Sequence, residues 1–388
     1  MNALKPLHYS LLLVVLYHMT YSGTRLLVAL YAIHLKASPA VIGMLVAIFS
    51  IVPMLGGVAI GRLIDRRGSK ALMLLCGTLM FAGTLLAFAW RDITALIVVN
   101  VLVGAGYYGL YIAAQQLFGR LGKPEDRMSN FAWLSSAYAV SAILAPVLTG
   151  FGIDHIGHNQ TFLMLSALPV LVLAILLSGK LTNLGPSADS HKAEAARGNV
   201  LELIGKGELR RVYAMSVLIA TSWDTFLFMT PIYCSQLGIS ASRIGIIIAS
   251  FSVATLTIRL FTQALTKRFS AWQLMIISIA AAGASNFAFG FAASVPFLIL
   301  FAFLLGLGQG IAGPMMNTLL YEESPPGRVT EVIGLRLLIS KGYQAGLPLL
   351  TGTLGTVLGV APVFWLVSTV MLGGAYAVRA QWHRTEKR

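Results

Sequence analysis

Residues 61–70 read GRLIDRRGSK, with four basic side chains and one carboxylate in ten positions. On one side lies AVIGMLVAIFSIVPMLGGVAI (40–60), on the other ALMLLCGTLMFAGTLLAFAW (71–90), and neither carries a single charge. Each flank is about the ~20 apolar residues that a helix needs to cross a bilayer. The stretch therefore reads as a tight hydrophilic turn at a membrane face, joining two spanning helices.

The composition extends that reading to the whole chain. Of the 388 residues, 57% are hydrophobic and only 11% charged, against about 25% charged in soluble domains. Twelve apolar runs are long enough to span: 8–35, 39–61, 71–90, 93–116, 131–152, 160–179, 211–235, 243–264, 272–293, 296–318, 331–353 and 361–380. The first is too long for the ~7–15-residue apolar region of a signal peptide, and a second span follows at once, so it is expected to be retained. Cys76 and Cys234 both lie inside apolar runs, which excludes a disulfide framework or a zinc spacing. The motif DHIGH (Asp154, His155, His158) falls between the fifth and sixth runs without further ligands and reads as a solvated outer loop. No metal and no cofactor is expected.

The formal charge of +14 suggests nucleic acid until its distribution is followed. With the N-terminus placed in the cytoplasm, twenty-one of the 28 Lys and Arg fall on cytoplasmic segments, and Lys36, Arg91 and Arg243 outside. This is the positive-inside bias. It predicts both termini in the cytoplasm and assigns the charge to membrane topology, not to nucleic acid.

A shift of 202 residues superposes the chain on itself. Ser38, Ile42, Gly43, Ala47, Phe49, Ser50, Leu63 and Arg66 fall on Ser240, Ile244, Gly245, Ala249, Phe251, Ser252, Leu265 and Arg268. Leu96, Ile97, Gly104 and Gly106 fall on Leu298, Ile299, Gly306 and Gly308; Pro146, Leu148, Thr149 and Gly150 fall on Pro348, Leu350, Thr351 and Gly352. The offset covers six spans, an even number, so both copies share one orientation. That predicts a parallel repeat about an axis along the membrane normal: a six-helix bundle over 1–180, a cytoplasmic linker over 181–209 and a second bundle over 210–388. The linker's NVLELIGKGELRR end reads as a solvated connector, with a surface helix as the alternative.

Six plus six helices, a polar central linker and GRLIDRRGSK after the second helix together resemble the major facilitator superfamily. That family's loop pattern is Gly-x-Leu-Ala-Asp-Arg-x-Gly-Arg-Lys. Gly61, Leu63, Asp65, Arg66, Gly68 and Lys70 match it; Ile64 and Ser69 depart from it. The resemblance implies two bundles rocking around a central site at mid-membrane. It also implies a conformational latch of Gly61, Asp65, Arg66, Gly68 and Glu331, with Asp65 facing the N-terminus of the eleventh helix and Arg66 pairing with Glu331, Glu125 or Asp126. A carboxylate at a helix N-terminus gains ~0.3–1 kcal/mol. Gly57 and Gly61 suit close helix packing. The C-terminal twin of the loop has Lys267 where Asp65 stands, so the latch is expected on one side. Asn100 occupies the place of the helix-4 Arg of many proton-coupled members. APVLTG, with Ala145 and Thr149 in glycine places, is only half of the exporters' helix-5 signature.

Intramembrane charges mark the candidate site, since each costs ~2.5–3.5 kcal/mol at the bilayer centre unless partnered or hydrated. They are Arg25, Arg259, Arg336 and Lys341, with Asp224 as the acid near mid-depth. Their twins at the 202 offset are uncharged: Leu227, Gly57, Leu134, Ala139 and Ser22. Arg25 stacks by helical spacing with Tyr21 and with Tyr17 or His18. Asn100, Tyr107, Tyr111 and Gln115 share one face of the fourth span. Lys341, Gln344 and Pro348 share a face of the eleventh, and Arg336 lies off it. The expected substrate-binding set is Arg25, Tyr21, Asn100, Tyr107, Tyr111, Gln309, Arg336, Lys341 and Gln344, with Asp224 as the proton-coupling group and Lys341 as its candidate partner.

No nucleophile–base pair or metal set lies near a membrane face, which speaks against a membrane-embedded enzyme. No segment is large enough for a sensor's soluble domain. A secondary active transporter remains. The excess of positive charge points to an anionic or zwitterionic metabolite or drug; nothing reads as an ATP site, so a proton gradient is the expected drive, and the resemblance of helix 5 to the exporters' segment implies efflux, with uptake of an organic acid as the alternative. The expected partners are the small-molecule substrate, protons and the lipid bilayer, and the expected state is a monomer in a bacterial inner membrane.

Overall fold

The computed structural model describes residues 4–50, 68–181, 207–325 and 328–386, and the side chains of all of these except 4, 5, 124, 330, 341 and 381–386. The all-α membrane fold expected from the runs is present. The helices are α1 (Leu4–His34), α2 (described over Pro39–Ser50), α3 (Ser69–Ala89) and α4 (Ile93–Arg120). A helix over Arg127–Leu177 follows, broken at Gly157 (φ 81°, ψ 169°); its arms are α5 (127–156) and α6 (158–177). The remainder are α7 (Gly207–Gln236), α8 (Ala241–Leu260), α9 (Ala271–Phe289), α10 (Val295–Glu322), α11 (Val329–Leu358) and α12 (Val360–Glu386). The 19-residue α9 reaches about 28 Å at ~1.5 Å per residue, close to the ~30 Å of the hydrocarbon layer.

Local chemistry sets the ends. Asp92 caps α4, its carboxylate accepting the Thr94 and Ala95 amides. Ser270 and Gln273 form a reciprocal capping box on α9. Gly68, at the entrance to α3, has φ 80° and ψ 166°, a backbone region essentially reserved for glycine. Large apolar side chains such as Leu75, Trp133, Leu171 and Phe297 are half-exposed or more, as helices solvated by lipid require.

By internal contacts the chain divides into two compact units, Met1–His191 with Gly238–Ala249, and Lys192–Leu237 with Ser250–Arg388. In unit 1, α2 and α4 touch backbone to backbone: a Cβ on Gly104 would lie 3.2 Å from the Phe49 carbonyl oxygen. In unit 2, a Cβ on Gly306 would lie 2.3 Å from the Phe251 carbonyl oxygen. Residues 104 and 306, like 49 and 251, are 202 apart, so the sequence repeat is a repeat of contacts. Unit 2 also holds a ladder of buried rings, Phe226 against Phe251 and Phe289, and Phe289 against Phe364, with centroids 4.8, 5.4 and 5.2 Å apart.

The structure corrects the reading of DHIGH as a loop: Asp154 and His155 are exposed, as expected, but lie on a helix. α5 continues through Asp154, whose carboxylate accepts the first amides of α8: Ala241 N–H at 3.1 Å and Ser242 N–H at 2.8 Å. Those amides have no partner inside their own helix, and the first half of α8 belongs to unit 1. The His158 ring stacks on His34 with centroids 4.7 Å apart. Among the described residues no three His, Cys, Asp or Glu side chains group so as to hold a metal.

Candidate functional site

Each unit carries a polar cluster at mid-helix. In unit 1 the cluster is aromatic. Tyr21 of α1 stacks on Tyr107 of α4 with centroids 3.8 Å apart and planes 10° from parallel. Tyr111 lies 6.1 Å from Tyr107 and 5.9 Å from Tyr138 of α5. The Tyr17 and Tyr138 hydroxyls share a 2.6 Å hydrogen bond. His18 packs against Tyr138 at 5.1 Å and its Nδ1 lies 2.6 Å from Ser141 Oγ. Arg25, one helical turn beyond Tyr21, is within electrostatic reach of Tyr107. A guanidinium beside ring faces suits an anion on a flat or apolar body, while a ring face attracts a cation.

In unit 2 the cluster surrounds a cavity of about 230 Å³ between α7, α10 and α11. Its polar lining is Ser216, Arg336, Ser340, Tyr343 and Gln344. Arg336 Nε donates to Ser216 Oγ at 3.2 Å. Tyr343 lies within electrostatic reach of Asp224 and Arg336 and shares the lining with Gln344. The cavity edge thus offers a fixed cation and, beside Tyr343, a carboxylate.

The expected site residues separate accordingly. Arg25, Tyr21, Tyr107 and Tyr111 come together in unit 1, and Arg336, Gln344 and Asp224 in unit 2. Gln344 shares the cavity with Arg336, a change from the expected grouping with Pro348, which is buried. Asn100 belongs to neither cluster: it is fully buried and its amide donates to the Leu45 carbonyl at 2.7 Å, fastening α4 to α2. Gln309 is likewise packing, 3% exposed, donating to the Ile219 carbonyl at 3.2 Å. Glu331 is paired with Arg328, whose Nε lies 2.8 Å from it. Gly61, Asp65 and Arg66, and the Lys341 side chain, lie outside the described residues.

Sequence reasoning missed Tyr138, Ser141, Ser216, Ser340 and Tyr343. A signal existed for two of them: Ser340 and Tyr343 follow Arg336 by four and seven residues, one helical face.

Comparison with known proteins agrees with this architecture. The family model of the Major Facilitator Superfamily matches residues 10–240 and 212–387. The purine ribonucleoside efflux pump NepI of Escherichia coli O127:H6 (strain E2348/69 / EPEC) is 22% identical over 222 residues, 57% of this chain and 54% of the pump. The chain thus spans about half the length of that relative. A multi-drug resistance efflux pump PmrA homolog of Lactococcus lactis subsp. lactis (strain IL1403) is 23% identical over 294 residues, 72% of this chain and 70% of the pump. Among solved structures, the nucleoside transporter NupG superposes with a TM-score of 0.79 at 15% identity, covering 96% of this chain and 99% of that one. A POT family transporter in complex with a thioalcohol conjugated peptide superposes with a TM-score of 0.79 at 14% identity, covering 97% and 96%. The structural likenesses are of fold. The match to the family model runs nearly the length of the chain, over the helices just described, and the protein is a multi-pass membrane protein of the Major Facilitator Superfamily.

Proposed function

We propose that this transporter exports a small zwitterionic metabolite or drug in exchange for protons, the zwitterionic branch of the expected anionic or zwitterionic solute. The observation that carries the reading is the unit 2 cavity, where Arg336 lines the wall and Tyr343 lies within electrostatic reach of it and of Asp224. A zwitterion places its anionic end on Arg336 and its cationic end toward Asp224. Protonating Asp224 removes the partner of that cationic end, so proton and solute compete, which is the requirement for exchange. The efflux activities of the two pump relatives support the outward direction. A simple anion behaves otherwise: proton and solute then bind together, giving cotransport, and this is the basis of the alternative, uptake of an organic acid. Lys341 stays in the proposal on the strength of the sequence alone, as the candidate partner of Asp224, and Arg25 serves the unit 1 cluster. The Asp65 latch, both termini in the cytoplasm, the bacterial inner membrane and the monomeric state complete the proposal on the strength of the sequence.

The test uses purified protein in proteoliposomes with an imposed pH gradient, screening labelled anions, zwitterions and nucleosides in both directions. Asp224→Asn is expected to lose gradient-driven flux and to keep solute exchange across the membrane. Wild-type flux with wild-type pH dependence in that variant removes Asp224 from the mechanism. Transport of cations alone refutes the substrate reading.

A further inference from the structure

The 202-residue offset lays the two polar clusters on one another. Tyr17, His18, Tyr111 and Tyr138 of unit 1 correspond to Ile219, Ala220, Gly313 and Ser340 of unit 2. In unit 1 these positions are filled by rings, with Tyr138 centroids 5.1 Å from His18, 5.9 Å from Tyr111 and 6.4 Å from Tyr17. In unit 2 all four line the cavity of about 230 Å³. At these four positions side chains that fill the first copy are cut back to smaller ones in the second, which leaves room on that side of the hollow. Other lining positions change in the opposite sense: Arg336, Tyr343 and Gln344 stand where unit 1 has Leu134, Ser141 and Ala142, so the second copy gains polar groups on α11 where the first has none as large. Gly313 is an exposed residue of the lining, and a Cβ placed there meets no atom within 4 Å. Nothing in the protein's own packing at this point therefore requires a glycine.

We propose that Ala220, Gly313 and Ser340 are the specificity-determining residues of the unit 2 cavity, and that they admit an anion carried on a ring-sized group. The anion lies on Arg336, held in place through Ser216, and the group it carries occupies the space the missing rings leave. A cavity of about 150 Å³ holds a benzene molecule, so the hollow has room for a ring and a charged substituent. This assignment rests on the reading that the cavity receives the solute, and it narrows that solute's shape.

Gly313→Cys tests it with small thiol reagents in place of the solute. The variant, in lipid nanodiscs, is reacted with two methanethiosulfonates of similar size, one bearing a sulfonate and the other a trimethylammonium group. The parent protein, whose Cys76 and Cys234 are buried, is the control. The sulfonate reagent is expected to react about tenfold faster, a preference set by the adjacent guanidinium and lost in the Arg336→Gln background. Restoring a partner residue, by Ser340→Tyr or independently by Ala220→His on a different helix, is expected to slow both reagents about tenfold, with wild-type melting behaviour as the check on folding. Equal rates for the two reagents in Gly313→Cys overturn the anion assignment and the substrate reading beneath it. Undiminished rates in well-folded filled variants, with the charge preference intact, overturn the size assignment alone. An unreactive Gly313→Cys overturns both.

Discussion

Replacing Asp154 by Ala removes both acceptors from the first turn of α8, where the Ala241 amide lies at 3.1 Å and the Ser242 amide at 2.8 Å. Hydrogen bonds to charged groups contribute ~1.5–3 kcal/mol each when well shielded. This pair is only partly buried, and its geometry is that of a helix cap, for which loss costs ~0.5–2 kcal/mol. The cap range governs, because water replaces the lost acceptor at an exposed amide. A value of ~1–2 kcal/mol corresponds to a factor of about 5–30 in the opening equilibrium of that turn. Hydrogen–deuterium exchange reads this directly, since the two amides are the ones bonded. Their protection is expected to fall about 5–30-fold in Asp154→Ala, while amides in the middle of α8 keep theirs. Asp154→Asn keeps one carbonyl acceptor and should fall between. Equal protection of residues 241 and 242 in Asp154→Ala and wild type refutes the cap.

Asn100→Ala should lower stability by ~1–3 kcal/mol, because the Leu45 carbonyl loses its donor; solute affinity measured in the same preparation should not change, whereas a cavity-lining role predicts the reverse. Gly306→Ala should destabilise more than Gly104→Ala, since the added methyl meets backbone at 2.3 Å in one and 3.2 Å in the other; thermal melting ranks them, and equal losses would show that α8 and α10 can separate at little cost. At the entrance to α4, the Ala95 amide, with the Thr94 amide and the Trp90 indole, holds the Asp92 carboxyl below the usual carboxylate range. A lowered value in the folded state means that the cap is fully present above the ordinary carboxylate pKa and is lost as pH falls through the folded one. Trp90 fluorescence should therefore show an acid step below the ordinary range, absent in Asp92→Asn.

The helices and the repeat were legible because lipid imposes crude, long-range constraints. About twenty apolar residues per crossing, and basic residues held to one face, are required whatever the contacts between helices. The offset of 202 was equally visible, and it pairs the Gly104–Phe49 contact of one unit with the Gly306–Phe251 contact of the other. The site was legible in part. Helical spacing placed Tyr107 and Tyr111 on one face correctly, yet put Asn100 on it as well. Spacing assigns a residue to a face, but the neighbour covering that face changes with depth: α2 covers Asn100 through Leu45, and α1 meets Tyr107 through Tyr21. Tyr138 and Ser141 join the cluster from a helix whose apolar pattern gave no reason to select them. The cap made by Asp154 was not legible, because its acceptors are satisfied by amides 87 and 88 residues further on, a distance no local pattern spans.

That separation has a consequence for biosynthesis. The Asn100 bond to Leu45 closes within 55 residues, so the α2–α4 pair of the first copy can dock as soon as α4 has left the ribosome, long before the second copy exists. The carboxylate of Asp154 must wait for α8. Until residue 241 is inserted the carboxylate keeps its water, and a nascent chain halted in the linker would hold a packed first bundle with its outer edge still open to solvent. The junction between α5 and α8 is therefore made late, by an exposed carboxylate that trades part of its water for two amides when its partner arrives.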